Sequence, residues 1–119
     1  MSRIAAIAGT AALTLLLAPP AMADDKYDSS IRVANSFPAF HGKVRSPNEL
    51  CMENRKVILY SEQVGKDDVL GKTRTNERGR WKIEIEPTSG AFYAKARRGG
   101  SASLGIVCRK AVSKPVTID

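Results

Sequence analysis

The chain has 119 residues, with 19 Lys and Arg against 12 Asp and Glu and a formal net charge of +7. That length fits one small domain, and one His with two Cys is too few for a closed tetrahedral metal shell, so a structural zinc module is excluded. The positive balance favours anionic partners without choosing among them.

The first stretch reads as an export signal rather than as part of a fold. Arg3 supplies a positive charge, Ile4 to Leu17 is uncharged and largely apolar, and Ala21-Met22-Ala23 has the small-x-small pattern of a cleavage site. The apolar run is about 14 residues, short of the roughly 20 that a membrane-spanning helix needs. Residues 1–23 are therefore expected to be a signal peptide, with no membrane span after cleavage. Arg3 leaves with the leader, so 18 basic side chains remain against 12 acidic ones.

A domain of that size buries only a little over ~60% of its unfolded surface, which makes a covalent staple useful. Outside the cytoplasm an even pair of cysteines reads as a bridge, so Cys51 and Cys108 are expected to form one disulfide, worth roughly 4 kcal/mol for a loop of this length.

In chain order, residues 24–37 read as a flexible leader or an edge strand. Asp24 to Ser30 is polar and mostly acidic, only Ile31 and Val33 alternate after it, and Pro38 has no N–H to give to a ladder. Residues 38–119 form the expected β-sandwich domain. Ala39 to Arg45 places Phe40, Gly42 and Val44 on one side and His41, Lys43 and Arg45 on the other. Cys51 follows in a loop. Val57-Ile58-Leu59-Tyr60 is apolar on both faces and reads as a central strand.

The clearest signal lies between Thr75 and Ile85. Asn76 and Gly79 are turn residues, after which Trp81, Ile83 and Ile85 share one face and Lys82, Glu84 and Glu86 the other. Val69 to Asn76 is expected to pair with Arg80 to Glu86 as a hairpin. A three-residue turn would put Arg74 opposite Lys82 on the side away from Trp81; a two- or four-residue turn would bring Lys72 and Arg74 to the Trp81 side, where burial of charge disfavours them. Ala91 to Arg97, Leu104 to Arg109 and Pro115 to Ile118 complete about seven short strands, an all-β pattern whose natural solution is a sandwich.

The order of these pieces resembles the transthyretin-like, or prealbumin-like, β-sandwich modules, which include carboxypeptidase regulatory-like domains. The matching residues are Gly42-Lys43-Val44, Lys56-Val57-Ile58-Leu59-Tyr60, the run from Gly71 to Trp81, and Gly90-Ala91-Phe92-Tyr93-Ala94, about a quarter of the exported chain. The resemblance implies a seven-stranded Greek-key Ig-like sandwich. It implies little about activity, because such modules serve as spacers, adhesive modules and hormone carriers, and one branch is a hydrolase. That branch uses more than one His and a characteristic C-terminal motif; here His41 stands alone and the chain ends Thr117-Ile118-Asp119.

No residue pattern points to catalysis or to a cofactor. There is no Gly-x-Ser-x-Gly elbow, and Gly99-Gly100-Ser101 lacks the Lys-Ser/Thr ending of a phosphate loop. His41 reads as a solvated strand residue and Trp81 as a core anchor. Tyr93 reads as the exposed aromatic, sharing its face with Lys95 and Arg97. The candidate anion-binding set is Lys72, Arg74, Arg80 and Lys82. The expected function is that of a secreted, non-catalytic module for extracellular or cell-envelope interaction with a protein or an anionic envelope polymer, and no nucleic acid is expected. The alternative is binding of anionic polymers through the basic sheet face, and a transthyretin-like hydrolase ranks last.

Overall fold

Alternation of apolar and polar residues becomes eleven strands in the computed structural model, which describes residues 25–36, 38–86 and 89–119. They are β1 (Asp25–Tyr27), β2 (Ser30–Ser36), β3 (Ala39–Arg45), β4 (Lys56–Ser61), β5 (Asp68–Arg74), β6 (Arg80–Glu84), β7 (Gly90–Ala96), β8 (Gly99–Ser101), β9 (Ile106–Cys108), β10 (Ala111–Val112) and β11 (Val116–Ile118). The expected signal peptide, residues 1–23, lies outside the described residues.

The strands form three sheets. One runs β2-β3-β6; a second runs β10-β7-β4-β5 with β11 also paired to β7; the third is the small sheet β1-β9-β8. The first two pack face to face in a sandwich-like arrangement around one core. From the first sheet come Ile31, Phe40, Val44, Trp81 and Ile83, and from the second Val57, Leu59, Phe92, Ala94 and Ala96. Phe40 and Phe92 meet across the layers, ring centroids 5.1 Å apart and planes tilted by 48°. Every inward residue is a second-place residue of its strand, as a pleat demands.

β4 is central in its sheet, and Val57, Ile58 and Leu59 are all buried. Ile58 points to the outer face, where the register flanks it with Lys72 and Lys95; the methylene stems of such neighbours account for its burial. Gly42 allows a close approach on the inner face: a Cβ there would lie 1.8 Å from the Arg32 carbonyl oxygen and 2.9 Å from the Trp81 ring. Trp81 is the buried anchor expected of it, 4% exposed. Its Nε1 finds no hydrogen-bond partner among the described residues.

The Asn76–Gly79 turn forms as its residues imply. Asn76 Oδ1 accepts from the Arg78 and Arg80 amides, and Gly79 takes φ +79°. The strands it joins, however, are not a hairpin. β5 pairs with β4, and β6 pairs with β3. Two tethers explain the change of sheet. Thr75, the residue before the turn, exchanges backbone bonds with Arg55 and Asn54 and so stays with β4; the Val44 amide donates to the Gly79 carbonyl and starts the β3–β6 ladder. β5 and β6 thus lie against each other at one side of the sandwich while belonging to different layers.

The amino-terminal segment also differs from a flexible leader. Asp25–Tyr27 pairs in parallel with Ile106–Cys108, and Arg109 N–H donates to the Tyr27 carbonyl. Backbone pairing needs no apolar side chains, which is why a polar composition concealed it. β2 extends to seven residues along β3, with Ile31 in the core.

The small sheet is held to the sandwich by the expected disulfide. Cys51 and Cys108 are bridged across a sequence separation of 57, with both residues fully buried.

Candidate functional site

The four cations singled out as an anion-binding set divide between the two layers. Lys72 and Arg74 stand on the outer face of the β5 sheet, Arg80 and Lys82 on the outer face of the β6 sheet. Arg74 therefore does not face Lys82. The molecule carries two basic faces, back to back.

The face of the β2-β3-β6 sheet has Arg32, Lys43 and Arg80 in one cross-strand row and Ala34, His41 and Lys82 in the next. Lys82 is partly neutralised by Glu84 on its own strand, 3.5 Å away and largely in solvent. His41 is exposed, and its cross-strand neighbours are Ala34 and Lys82 rather than a carboxylate. A shallow groove of about 390 Å³ runs between these side chains.

The opposite face is denser in charge and contains the aromatic pair. Its register places Arg74 opposite Lys56, with Arg97 on the other side of Lys56, joined through the Arg97 N–H to the Lys56 carbonyl. The next row is Lys72, Ile58 and Lys95, and the row beyond holds Tyr60 and Tyr93. Tyr93 shares its face with Lys95 and Arg97 while Phe92 and Ala94 turn inward, as its strand position implies, but it is half-buried rather than exposed because Tyr60 covers one ring face. The two tyrosines stack on each other, centroids 5.0 Å apart and planes within 14°, and Lys95 Nζ lies 5.4 Å from the Tyr60 ring. The Tyr93 hydroxyl donates a short hydrogen bond to Asp67. This bond pushes the Tyr93 phenol up to about 12 and holds the Asp67 carboxyl below its ordinary value, with a smaller downward contribution from the Gln63 amide.

At the end of this face a cleft of about 500 Å³ lies between the Arg74–Lys56–Arg97 row and β8, lined also by Glu53, Arg98, Gly99 and Gly100. Arg55, which is only 2% exposed, also lines it. Its guanidinium makes all five of its possible donations. Nε and Nη2 donate to the Arg97 carbonyl at 3.2 and 2.8 Å, Nη1 to the Cys51 carbonyl at 2.7 Å and to Ser29 Oγ at 2.8 Å, and Nη2 to the Arg109 carbonyl at 2.9 Å. Every acceptor is neutral. Burial pushes the Arg55 guanidinium below its ordinary value, and its positive charge has no carboxylate partner among the described residues.

Sequence reasoning missed Arg55. A basic residue at the head of an apolar strand reads as solvated, and only its position four residues after Cys51 hints at a tie to the disulfide loop.

Fold and site together define an all-β, disulfide-stapled chain with two basic outer faces, one of them ending in a cationic cleft. Compared with models of known protein families and with curated proteins, the sequence finds no match.

Proposed function

We propose that the chain is an exported, non-catalytic interaction module that works outside the cytoplasm after removal of residues 1–23. In this reading the sandwich is a prealbumin-like Greek key used as a rigid carrier for its surface. The observation that carries the proposal is the combination of a buried Cys51–Cys108 bridge with two outer sheet faces rich in Lys and Arg. A disulfide persists in oxidising compartments, and a stapled small core can devote its faces to contact. The placement of His41 opposite Lys82 supports a binding role over hydrolysis, since a general base needs an orienting partner.

The test is to follow a C-terminally tagged chain through cell fractionation and to measure its mass and thiols. The expected result is an extracellular or envelope protein beginning after Ala23 with no free thiol. An unprocessed cytoplasmic protein with two free thiols would overturn the proposal.

A further inference from the structure

We infer that the cleft between the Arg74–Lys56–Arg97 row and β8 binds the phosphate or sulfate groups of an anionic glycan, with Lys72 and Lys95 extending the contact along the sheet. The inference rests on the reading of the chain as an exported module and names the partner of that module.

Four observations converge on the cleft. First, the register sets five cations in two adjacent rows around Ile58. Strand spacing of about 4.8 Å and a two-residue rise of roughly 6.6 Å make these rows a lattice on the scale of successive anionic groups along a polymer. Second, the ion pairs among the described residues are Lys82 with Glu84 and Arg109 with Asp28, so the cations of this face hold no carboxylate. Arg74 does donate to the Asn54 carbonyl at 3.0 Å, which fixes it at the cleft wall.

Third, the buried Arg55 adds a positive charge beneath the cleft floor. All its N–H groups go to neutral oxygens, so no carboxylate is hydrogen-bonded to it, and an anion in the cleft would be drawn to its charge. Fourth, the facing wall is Gly99-Gly100, where a Cβ at residue 99 would come within 3.1 Å of the Arg55 side chain. The absence of a side chain there keeps the approach to that charge short. The rim holds one acid, Glu53.

The aromatic pair points to a glycan rather than a single-stranded nucleic acid. Nucleic-acid platforms offer open ring faces to bases. Here Tyr60 and Tyr93 stack on each other and Lys95 sits over Tyr60, so those faces are largely spent within the protein.

The experiment measures binding of the purified, oxidised protein to three labelled probes by fluorescence anisotropy: a heparin fragment, a phosphomannan fragment, and a thymidine oligonucleotide of matched charge. Heparin and phosphomannan separate a sulfate from a phosphate source on a sugar backbone. Binding to at least one of them is expected to exceed binding to the oligonucleotide and to weaken steeply with salt. The triple variant Arg74→Ala, Arg97→Ala, Arg98→Ala is expected to lose about tenfold or more in affinity. The matched triple Arg32→Ala, Lys43→Ala, Arg80→Ala removes the same charge from the opposite face and is expected to change affinity less than about threefold.

Arg98→Ala alone serves as a second variant, because its side chain makes no hydrogen bond among the described residues; a loss of about threefold is expected. Equal losses for the two triples, no binding to either glycan, or tighter binding of the oligonucleotide would each overturn the inference. A protein that is exported and stapled but fails these tests would sink the glycan site and leave the exported module standing. A cytoplasmic thiol protein would sink the module itself.

Discussion

Arg55 and Arg97 are joined by two hydrogen bonds onto a single carbonyl oxygen, from Nε at 3.2 Å and from Nη2 at 2.8 Å. The remaining donors of Arg55 reach Cys51, Arg109 and Ser29, so one side chain connects the disulfide loop, the end of β7, the end of β9 and the entry to β2. Lysine cannot reproduce a planar fork with five fixed donors. Arg55→Lys is expected to lower the unfolding free energy by about 3 kcal/mol in a urea titration, since it strands buried carbonyls. A loss below about 1 kcal/mol would show that the fork contributes little.

The disulfide adds a second tie at the same place. With a sequence separation of 57, Cys51–Cys108 is expected to contribute about 4 kcal/mol by restricting the unfolded chain. Cys51→Ala with Cys108→Ala, or reduction of the unaltered protein, should shift the urea midpoint by matching amounts. An unchanged midpoint would contradict the assignment.

Phe40 and Phe92 carry the contact between layers. Either change to Ala is expected to cost about 3–5 kcal/mol, because both rings are buried and leave a cavity. The double variant should fall short of the sum by about 1 kcal/mol, the coupling expected of rings in contact. Strict additivity in the unfolding data would show that the rings do not interact.

The Tyr93–Asp67 hydrogen bond links stability to pH at both extremes. The Tyr93 phenol is raised from 10.0 to about 12, so folded protein holds that proton when unfolded protein has lost it, and stability falls as pH rises between those values. Asp67 is depressed, so its contribution is present above the ordinary carboxylate range and is lost as pH falls through its lowered folded value. Tyr93→Phe should abolish the alkaline component and weaken the acidic one. In a tyrosinate absorbance titration of the folded protein, one of the three tyrosines should ionise near 12. If Tyr93 ionises near 10 instead, the bond does not form in solution.

Period-two alternation was enough to place Phe40, Trp81, Ile83 and Phe92 inside and His41, Lys82, Glu84 and Tyr93 outside, because a strand with one buried face leaves no other register. It could not say which strand pairs with which. The turn at Asn76–Gly79 looked like a hairpin because its local chemistry is that of one. The bonds that send its two arms to different layers involve Thr75, Arg55 and Val44, which lie far apart in sequence or carry no turn signature. For the same reason the four cations of the basic set divide between two layers: Lys72 and Arg74 share a face with Lys95, and Arg80 and Lys82 belong to the opposite one. Arg55 was illegible because four of its five hydrogen bonds go to main-chain oxygens, which every sequence possesses.

The parallel pairing of Asp25–Tyr27 with Ile106–Cys108 bears on the order of events during synthesis. A polypeptide made amino end first delivers its opening strand long before the segment that receives it, some eighty positions later. The closing sheet, the sulfur link and the arginine knot must all wait for the trailing portion to emerge. Until then the first strand has no partner to pair with, and the molecule locks only when residues 106–109 have arrived.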